Sequence, residues 1–313
     1  MAEEQVTPAS IYDRGHLITE STNPASANLD QLSPLELVDL FNEEDLNTVK
    51  AIANARESLS KTIELTTQSL KSGGRLFYVG AGTSGRLGVL DASECPPTFC
   101  TDPEMVQGII AGGKDALVRS SESLEDSASD GATVVDQKNI SDADIVIGIT
   151  AGGTTPYVHG AILRAQELGA KTVFIACVPE SQIPAPGSID ADIRLVVGPE
   201  LLTGSTRLKS GTATKMALNI ISTGSMVCLG KVYGNQMIDV SVTNIKLRDR
   251  AVRIISTLLN ISRNSAEELL QQARNKVKLS LVMYWTNLSV NESQKLLDKC
   301  GGSLRRALAL HED

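Results

Sequence analysis

The sequence predicts an α/β fold, a parallel sheet between helices, with N-terminal helices before it and a small helical region after it. Three observations carry that prediction. Four short runs rich in β-branched residues, 76–79, 145–149, 172–176 and 193–197, are separated by stretches long enough for crossover helices. The first two end in loops of small and hydroxyl residues, which is where open parallel sheets hold ligands. After residue 240 the strand pattern stops and helical periodicity takes over.

The elements follow in order. The first thirty or so residues mix Pro, Ser, Thr and Asn without a period and read as an extended arm. Ser33, Pro34 and Glu36 form a capping-box pattern with proline at the first helical position, and Leu37, Leu40 and Phe41 give a short helix one apolar face. From Asp45, apolar residues at three-to-four spacing (Leu46, Val49, Ile52, Leu59, Ile63, Leu70) predict one long helix that stops at Gly73-Gly74. The strand at 76–79 opens the sheet, and the next strand is expected near residue 145. Helices are expected over 244–259, 265–281 (capped by Ser265 with Glu268) and 291–299, then a Gly301-Gly302 break and a last short helix. Trp285 reads as a core residue of that region. The divisions are 1–44 for the arm and short helix, 45–240 for the sheet domain and 241–313 for the helical domain.

Composition bounds the partners. The 29 basic and 37 acidic residues give a formal charge of −8, so neither nucleic acid nor an anionic membrane surface is an expected partner. The five cysteines (Cys95, Cys100, Cys177, Cys228, Cys300) are scattered and form no CxxC pair, which supports a reducing compartment over a disulfide framework or a zinc site. There is no signal-peptide pattern and no apolar run of about 18 residues. A cytoplasmic protein is expected.

The loop after the first strand, Gly80-Ala81-Gly82-Thr83-Ser84-Gly85, is built to hold an anion. Its glycines let the backbone approach a ligand, Thr83 and Ser84 offer hydroxyls, and the helix that follows aims unpaired N–H groups. A dinucleotide site is disfavoured because the helix is expected to be interrupted at Ser93-Glu94-Cys95-Pro96-Pro97 and no acidic residue ends a second strand at the required distance. No Gly-Lys-Ser/Thr follows, which removes the nucleoside triphosphates. A smaller phosphorylated ligand fits.

Two further loops join it. Thr150-Ala151-Gly152-Gly153-Thr154-Thr155-Pro156 is small and hydroxyl-rich, and the segment with Glu200, Ser205, Arg207 and Lys209 brings an acid, hydroxyls and cations ahead of a helix. Gly82, Thr83, Ser84, Gly85, Gly153, Thr154, Thr155, Glu200, Ser205 and Lys209 are therefore the expected substrate and phosphate ligands. Carboxylates near such a pocket, Glu94 and Glu125 (in Ser123-Leu124-Glu125-Asp126-Ser127), suit proton abstraction and donation. His159 could assist ring opening, though a packing histidine is the plainer reading. Nothing suggests a metal.

The stretch from Gly80 to Phe99 closely resembles the signature of the N-acetylmuramic acid 6-phosphate etherases, proteins of the sugar-isomerase (SIS) type. Asn23-Pro-Ala-Ser, Asn42-Glu-Glu-Asp, the segment 104–113, the segment 197–212 and Lys231-Val-Tyr-Gly-Asn235 resemble the same family in the same order. The resemblance implies a flavodoxin-like SIS sheet with a small C-terminal helical, UBA-like domain, and a homodimer with active sites near the subunit interface. It also implies cleavage of the lactyl ether of N-acetylmuramic acid (MurNAc) 6-phosphate to N-acetylglucosamine (GlcNAc) 6-phosphate and D-lactate, without metal or organic cofactor. Glu94 matches the family's proton donor and Glu125 its second catalytic glutamate. One loop departs from the pattern: where the family usually has Ala-Ser-Gly-Arg-Thr-Pro, this chain has Gly152 and Thr154 in place of the serine and arginine. A lost charge-assisted contact would cost about 1.5–3 kcal/mol. A sugar-phosphate sensor like the glucokinase regulatory protein, or an enzyme for another phosphosugar, is the alternative.

Overall fold

The structure is a computed structural model and describes residues 14–119 and 124–312. Ser123 and the first thirteen residues of the expected arm lie outside the described residues.

Five strands form one parallel sheet: β1 (Leu76–Gly80), β2 (Val106–Ile110), β3 (Ile145–Thr150), β4 (Lys171–Ala176) and β5 (Ala191–Arg194), in the order β2-β1-β3-β4-β5. Alternation along the strands sends side chains to two cores. Leu76, Tyr78, Ile145 and Ile147 face one side with α2 (Arg56–Lys71), α3 (Gly82–Phe99) and α6 (Lys209–Cys228). Phe77, Val79 and Val146 face the other side with α4 (Ala128–Gln137) and α5 (Pro156–Glu167). Burial on both faces explains why these strands read as continuous apolar runs. At the amino ends, Asp144 takes the backbone N–H of Arg75 (2.8 Å) and its guanidinium (3.1 and 2.8 Å), tying β1 to β3.

Between β1 and β3 the chain order reverses, because β1 is followed outward by β2 before α4 carries the chain back to β3. The two strands stay paired to Gly80 and Ile149, but the connections leaving them run to opposite faces of the sheet, to α3 and α5, and the crevice of this architecture forms there.

Several expectations are corrected. Strand β2 was not foreseen; Gln107 and Gly108 interrupt its apolar run, as an edge strand tolerates. It ends in Ile110-Ala111-Gly112, so the absence of a ribose-binding acid holds on this strand also. The first helix does not end before Asp45: α1 (Pro34–Asn54) keeps the expected Ser33/Glu36 capping box and runs on to a turn at Ala55, where α2 begins. Helix α3 is not interrupted at residues 93–97, since Pro96 and Pro97 fall in its last turn, which closes on Cys100 in a left-handed conformation.

The C-terminal helices are α7 (Ile245–Leu259), α8 (Arg263–Gln272), α9 (Val277–Thr286), α10 (Val290–Lys299) and α11 (Leu304–Glu312). They enclose their own core, which includes Ile255, Leu270 and Leu281, with Trp285 packed at its edge. The single helix expected over 265–281 is two, capped by Ser262 and not Ser265, with Arg274 and Asn275 in left-handed conformations at the turn between them.

Candidate active site

A cavity of about 180 Å³ lies at the carboxyl ends of β1 and β3. Its floor is the loop after β1 and the first turn of α3: Ala81, Gly82, Thr83 and Ser84. One wall is the loop after β3, with Thr150, Thr154 and Thr155; another is the start of α6, with Thr206, Ser210 and Thr214. Glu125 joins the lining, and the arm closes the side with Arg14, Leu17 and Glu20.

Three helices start around this cavity, and among the described residues only one of them is left open to a ligand. Helix α6 is closed by the protein itself: the fully buried Glu200 accepts the N–H groups of Lys209 (3.0 Å) and Ser210 (2.9 Å) and the Ser210 hydroxyl (2.8 Å). Helix α5 begins with Pro156, which has no N–H, and its next N–H, from Tyr157, is taken by the Glu125 carbonyl at 3.0 Å. Helix α3 has no side-chain cap, and its first internal bond runs from Gly85 N–H to the Ala81 carbonyl at 3.2 Å. The N–H groups of Gly82, Thr83 and Ser84 are thus left at the positive end of the helix dipole, flanked by two hydroxyls. An anion of phosphate size belongs there.

The glycines of this loop do different work. Gly82 lines the cavity with φ +50°. Gly85 does not; a Cβ there would stand 2.6 Å from Ile110 Cγ1 and 2.7 Å from the Gly80 carbonyl, so it is the contact that lets α3 sit on the sheet.

Other expected ligands are also placed. Thr154 and Thr155 line the cavity, and the Thr155 hydroxyl shares a 2.8 Å bond with that of Thr150. Gly153 turns away, its carbonyl 2.7 Å from His159 Nε2, and the imidazole packs edge-on against Phe174. His159 is thereby a packing histidine outside the cavity lining. Ser205 lies beside the cavity in the turn before α6, where it receives no lining role. Lys209 is buried with its ammonium 2.5 Å from Glu44 Oε2, so it supplies no free charge to a ligand. Burial pushes the Glu44 carboxyl up, but hydrogen bonds from Lys209 and Asn23 outweigh it and hold the group below the usual carboxylate range.

The two glutamates do not face one cavity. Glu125 is half-buried on the segment leading into α4, its carbonyl pinned by Tyr157, and it is among the residues that line the cavity. Glu94 is exposed twelve residues along α3 from Gly82, about 18 Å at 1.5 Å per residue. It lines a separate groove of about 310 Å³ between α3 and α6. There the buried Asp91 accepts from Lys215 (2.7 Å) and the Tyr78 hydroxyl (3.1 Å). Burial pushes the neighbouring Cys95 thiol up to about 12, which removes it as a nucleophile.

Sequence reasoning missed the arm. Leu17 is buried among Val158, Ile162 and Phe174, and its N–H closes a turn on the Arg14 carbonyl at 2.9 Å. Gln182 accepts from Ile18 N–H (3.1 Å) and donates to the His16 carbonyl (3.0 Å). Asn23 donates to Glu44 (2.8 Å) and to the Pro199 carbonyl (3.1 Å). The one available signal was Asn23-Pro-Ala-Ser, whose asparagine proves to be the clasp between the arm, α1 and the α6 entry.

Among the described residues no group of His, Cys, Asp and Glu is placed to hold a metal ion, and no helix is long and apolar enough to cross a membrane.

Comparison with known proteins places the chain. Residues 58–166 match the family model of the glucokinase regulatory protein N-terminal SIS domain, and residues 234–292 match that of the C-terminal lid domain of glucokinase regulatory protein. The solved phosphoheptose isomerase from Francisella tularensis aligns with a TM-score of 0.45 at 15% identity, over 61% of this chain and 100% of that one. The N-acetylmuramic acid 6-phosphate etherase of Rippkaea orientalis is 63% identical over 95% of this chain and 97% of its own length. That of Microcystis aeruginosa is 65% identical over 94% and 96%. With identity of this level over nearly the whole of both chains, this protein belongs to the N-acetylmuramic acid 6-phosphate etherase family.

Proposed function

We propose that this protein is a carbon–oxygen lyase that cleaves the D-lactyl ether of MurNAc 6-phosphate, giving GlcNAc 6-phosphate and D-lactate. Identity above 60% over nearly full length to proteins of that name carries the reading, and the cavity's chemistry agrees with it: an open helix start for the phosphate, with an acidic residue, Glu125, and several hydroxyl residues in the same lining.

An unactivated ether resists hydrolysis, so the chemistry runs by elimination. In the ring-opened sugar the C1 aldehyde acidifies the C2 proton, and the C3 ether oxygen becomes a β leaving group. A carboxylate removes the C2 proton, the C3–O bond breaks as a carboxylic acid protonates the lactate oxygen, and water then adds across C2=C3, its hydroxyl to C3 and its proton to C2. Glu125 is assigned the base or water-activating role and Glu94 protonation of the leaving group. The phosphate, held by Thr83, Ser84 and the α3 N–H groups, contributes positioning energy remote from the reacting carbons.

The 18 Å between Glu94 and the α3 start support a homodimer in which Glu94 of one copy completes the cavity of the other. Exposed apolar residues suit such contact: Leu35, Val38, Leu46 and Val49 along α1, and Leu90 beside the Glu94 groove. The working divisions remain arm and first helix, sheet domain and helical domain, in a cytoplasmic enzyme of cell-wall amino-sugar recycling.

The test is incubation with MurNAc 6-phosphate and assay for D-lactate, alongside Glu94→Gln and Glu125→Gln. Wild type is expected to release lactate, each variant to lose at least 100-fold in turnover while still binding GlcNAc 6-phosphate. A folded wild type that releases none refutes the reading, and in heavy water an unexchanged C2 proton in the product refutes the elimination route.

A further inference from the structure

We propose that Arg14 recognises the substrate's second anionic group, the carboxylate of the lactyl ether, and so selects the ether-bearing sugar over the bare one. The inference rests on the etherase reading above. It begins from the charge inventory of the cavity: among the described residues that line it, Arg14 carries the sole cation, against the carboxylates of Glu20 and Glu125.

MurNAc 6-phosphate has two anionic ends, a phosphate on C6 and a carboxylate beyond C3. Of the three helix starts around the cavity, only α3 is left open by the described residues, and with Thr83 and Ser84 it offers N–H and O–H donors that suit a phosphate. Of the other cations in the adjoining loop, Lys209 is neutralised by Glu44, and Arg207 is exposed and outside the cavity lining. The second anion is left with Arg14, whose planar guanidinium matches a carboxylate with two parallel hydrogen bonds. The placement is firm at the backbone: the Arg14 carbonyl is bonded to Leu17, and Leu17 is plugged into the core beside α5. The side chain itself is exposed, so replacing it leaves the fold intact.

The arrangement makes the arm the element that reads the leaving group. Product release follows from the same logic: once lactate has departed, GlcNAc 6-phosphate retains the α3 contacts and has nothing for Arg14 to hold.

Calorimetric binding of MurNAc 6-phosphate and GlcNAc 6-phosphate is measured to the Glu94→Gln/Glu125→Gln protein, with lactate assayed after each titration to check that the substrate stays intact, and with and without Arg14→Gln and Arg14→Lys. The expected result is a loss of 10-fold or more in affinity for MurNAc 6-phosphate with Arg14→Gln, partial recovery with Arg14→Lys, and less than two-fold change for GlcNAc 6-phosphate. An equal loss for both ligands assigns Arg14 to the phosphate and overturns the proposal, as does no loss for either or an Arg14-containing protein that does not prefer MurNAc 6-phosphate. Lactate release by wild type is scored separately. Selective loss of MurNAc 6-phosphate binding in a protein that releases no lactate would sustain the role of Arg14 while refuting the reaction.

Discussion

Glu44→Gln is expected to destabilise the protein far more than the exposure of Glu44 suggests. The Lys209 side chain is 2% exposed and that of Glu44 17%, with 2.5 Å between the charged atoms. Neutralising Glu44 leaves an ammonium buried with no opposing charge, which costs about 3–5 kcal/mol when a buried pair loses one member. For a chain of 313 residues, at about 2.1 cal/mol/K of unfolding entropy per residue, that corresponds to a fall in melting temperature of roughly 5–8 °C. Lys209→Met should cost less, because Glu44 keeps Asn23 and some contact with water. The double variant Glu44→Gln/Lys209→Met removes both charges and should be more stable than Glu44→Gln alone, giving a coupling of about 2 kcal/mol or more. Scanning calorimetry with urea melts on the four proteins supplies the cycle. A shift under about 3 °C for Glu44→Gln, or strictly additive single effects, would refute the claim that this pair holds α1 against the α6 entry.

Two further expectations concern the scaffold. A Cβ on Gly131 would lie 1.9 Å from the Tyr157 carbonyl, and one on Gly160 1.9 Å from the Ala128 carbonyl. Either Gly→Ala change forces α4 and α5 apart, at about 1–3 kcal/mol or more, and moves Glu125, so kcat should fall at temperatures where circular dichroism still reports a folded protein; unchanged kcat would contradict the placement. Stability should also fall in acid. Burial pushes Asp144 up, but hydrogen bonds from Arg75 and Ser141 hold it below the usual carboxylate range, as Lys209 and Asn23 hold Glu44. The unfolded chain therefore binds protons first as pH drops, and the stabilisation, complete above about pH 5, is lost below it. Urea midpoints should be level from pH 6 to 8 and decline below about 4.5, less steeply in Asp144→Asn; a midpoint level down to pH 3 would overturn this.

The sheet centre and the anion loop were legible because their physics is local. Strands β1, β3 and β4 are buried on both faces and so carry unbroken apolar runs, and Ser33 with Glu36, like Asn244, announces a helix start within four residues. Strand β2 was hidden because an edge strand needs no such run. The turn at Ala55 has no glycine or proline to mark it. Polar residues beside the loops were read as ligands because sequence shows which charges are near, not which are already answered: Glu200 serves α6 and Lys209 serves Glu44. The distance of Glu94 from the cavity followed from α3 being one helix, and the prolines obscured that. The arm carries no period at all, since its placement depends on one buried leucine and a few long-range hydrogen bonds.

The carboxylate of Glu200 at the start of α6 bears on competition by simple solutes. A helix start filled by the protein's own anion is a place that inorganic phosphate or sulfate in the surrounding solution cannot occupy, whatever its concentration. Of the three helix starts around the cavity, such ions can contest only α3 among the described residues. Their competition at the helix starts should therefore follow one site, relieved by a ligand whose phosphate takes that position.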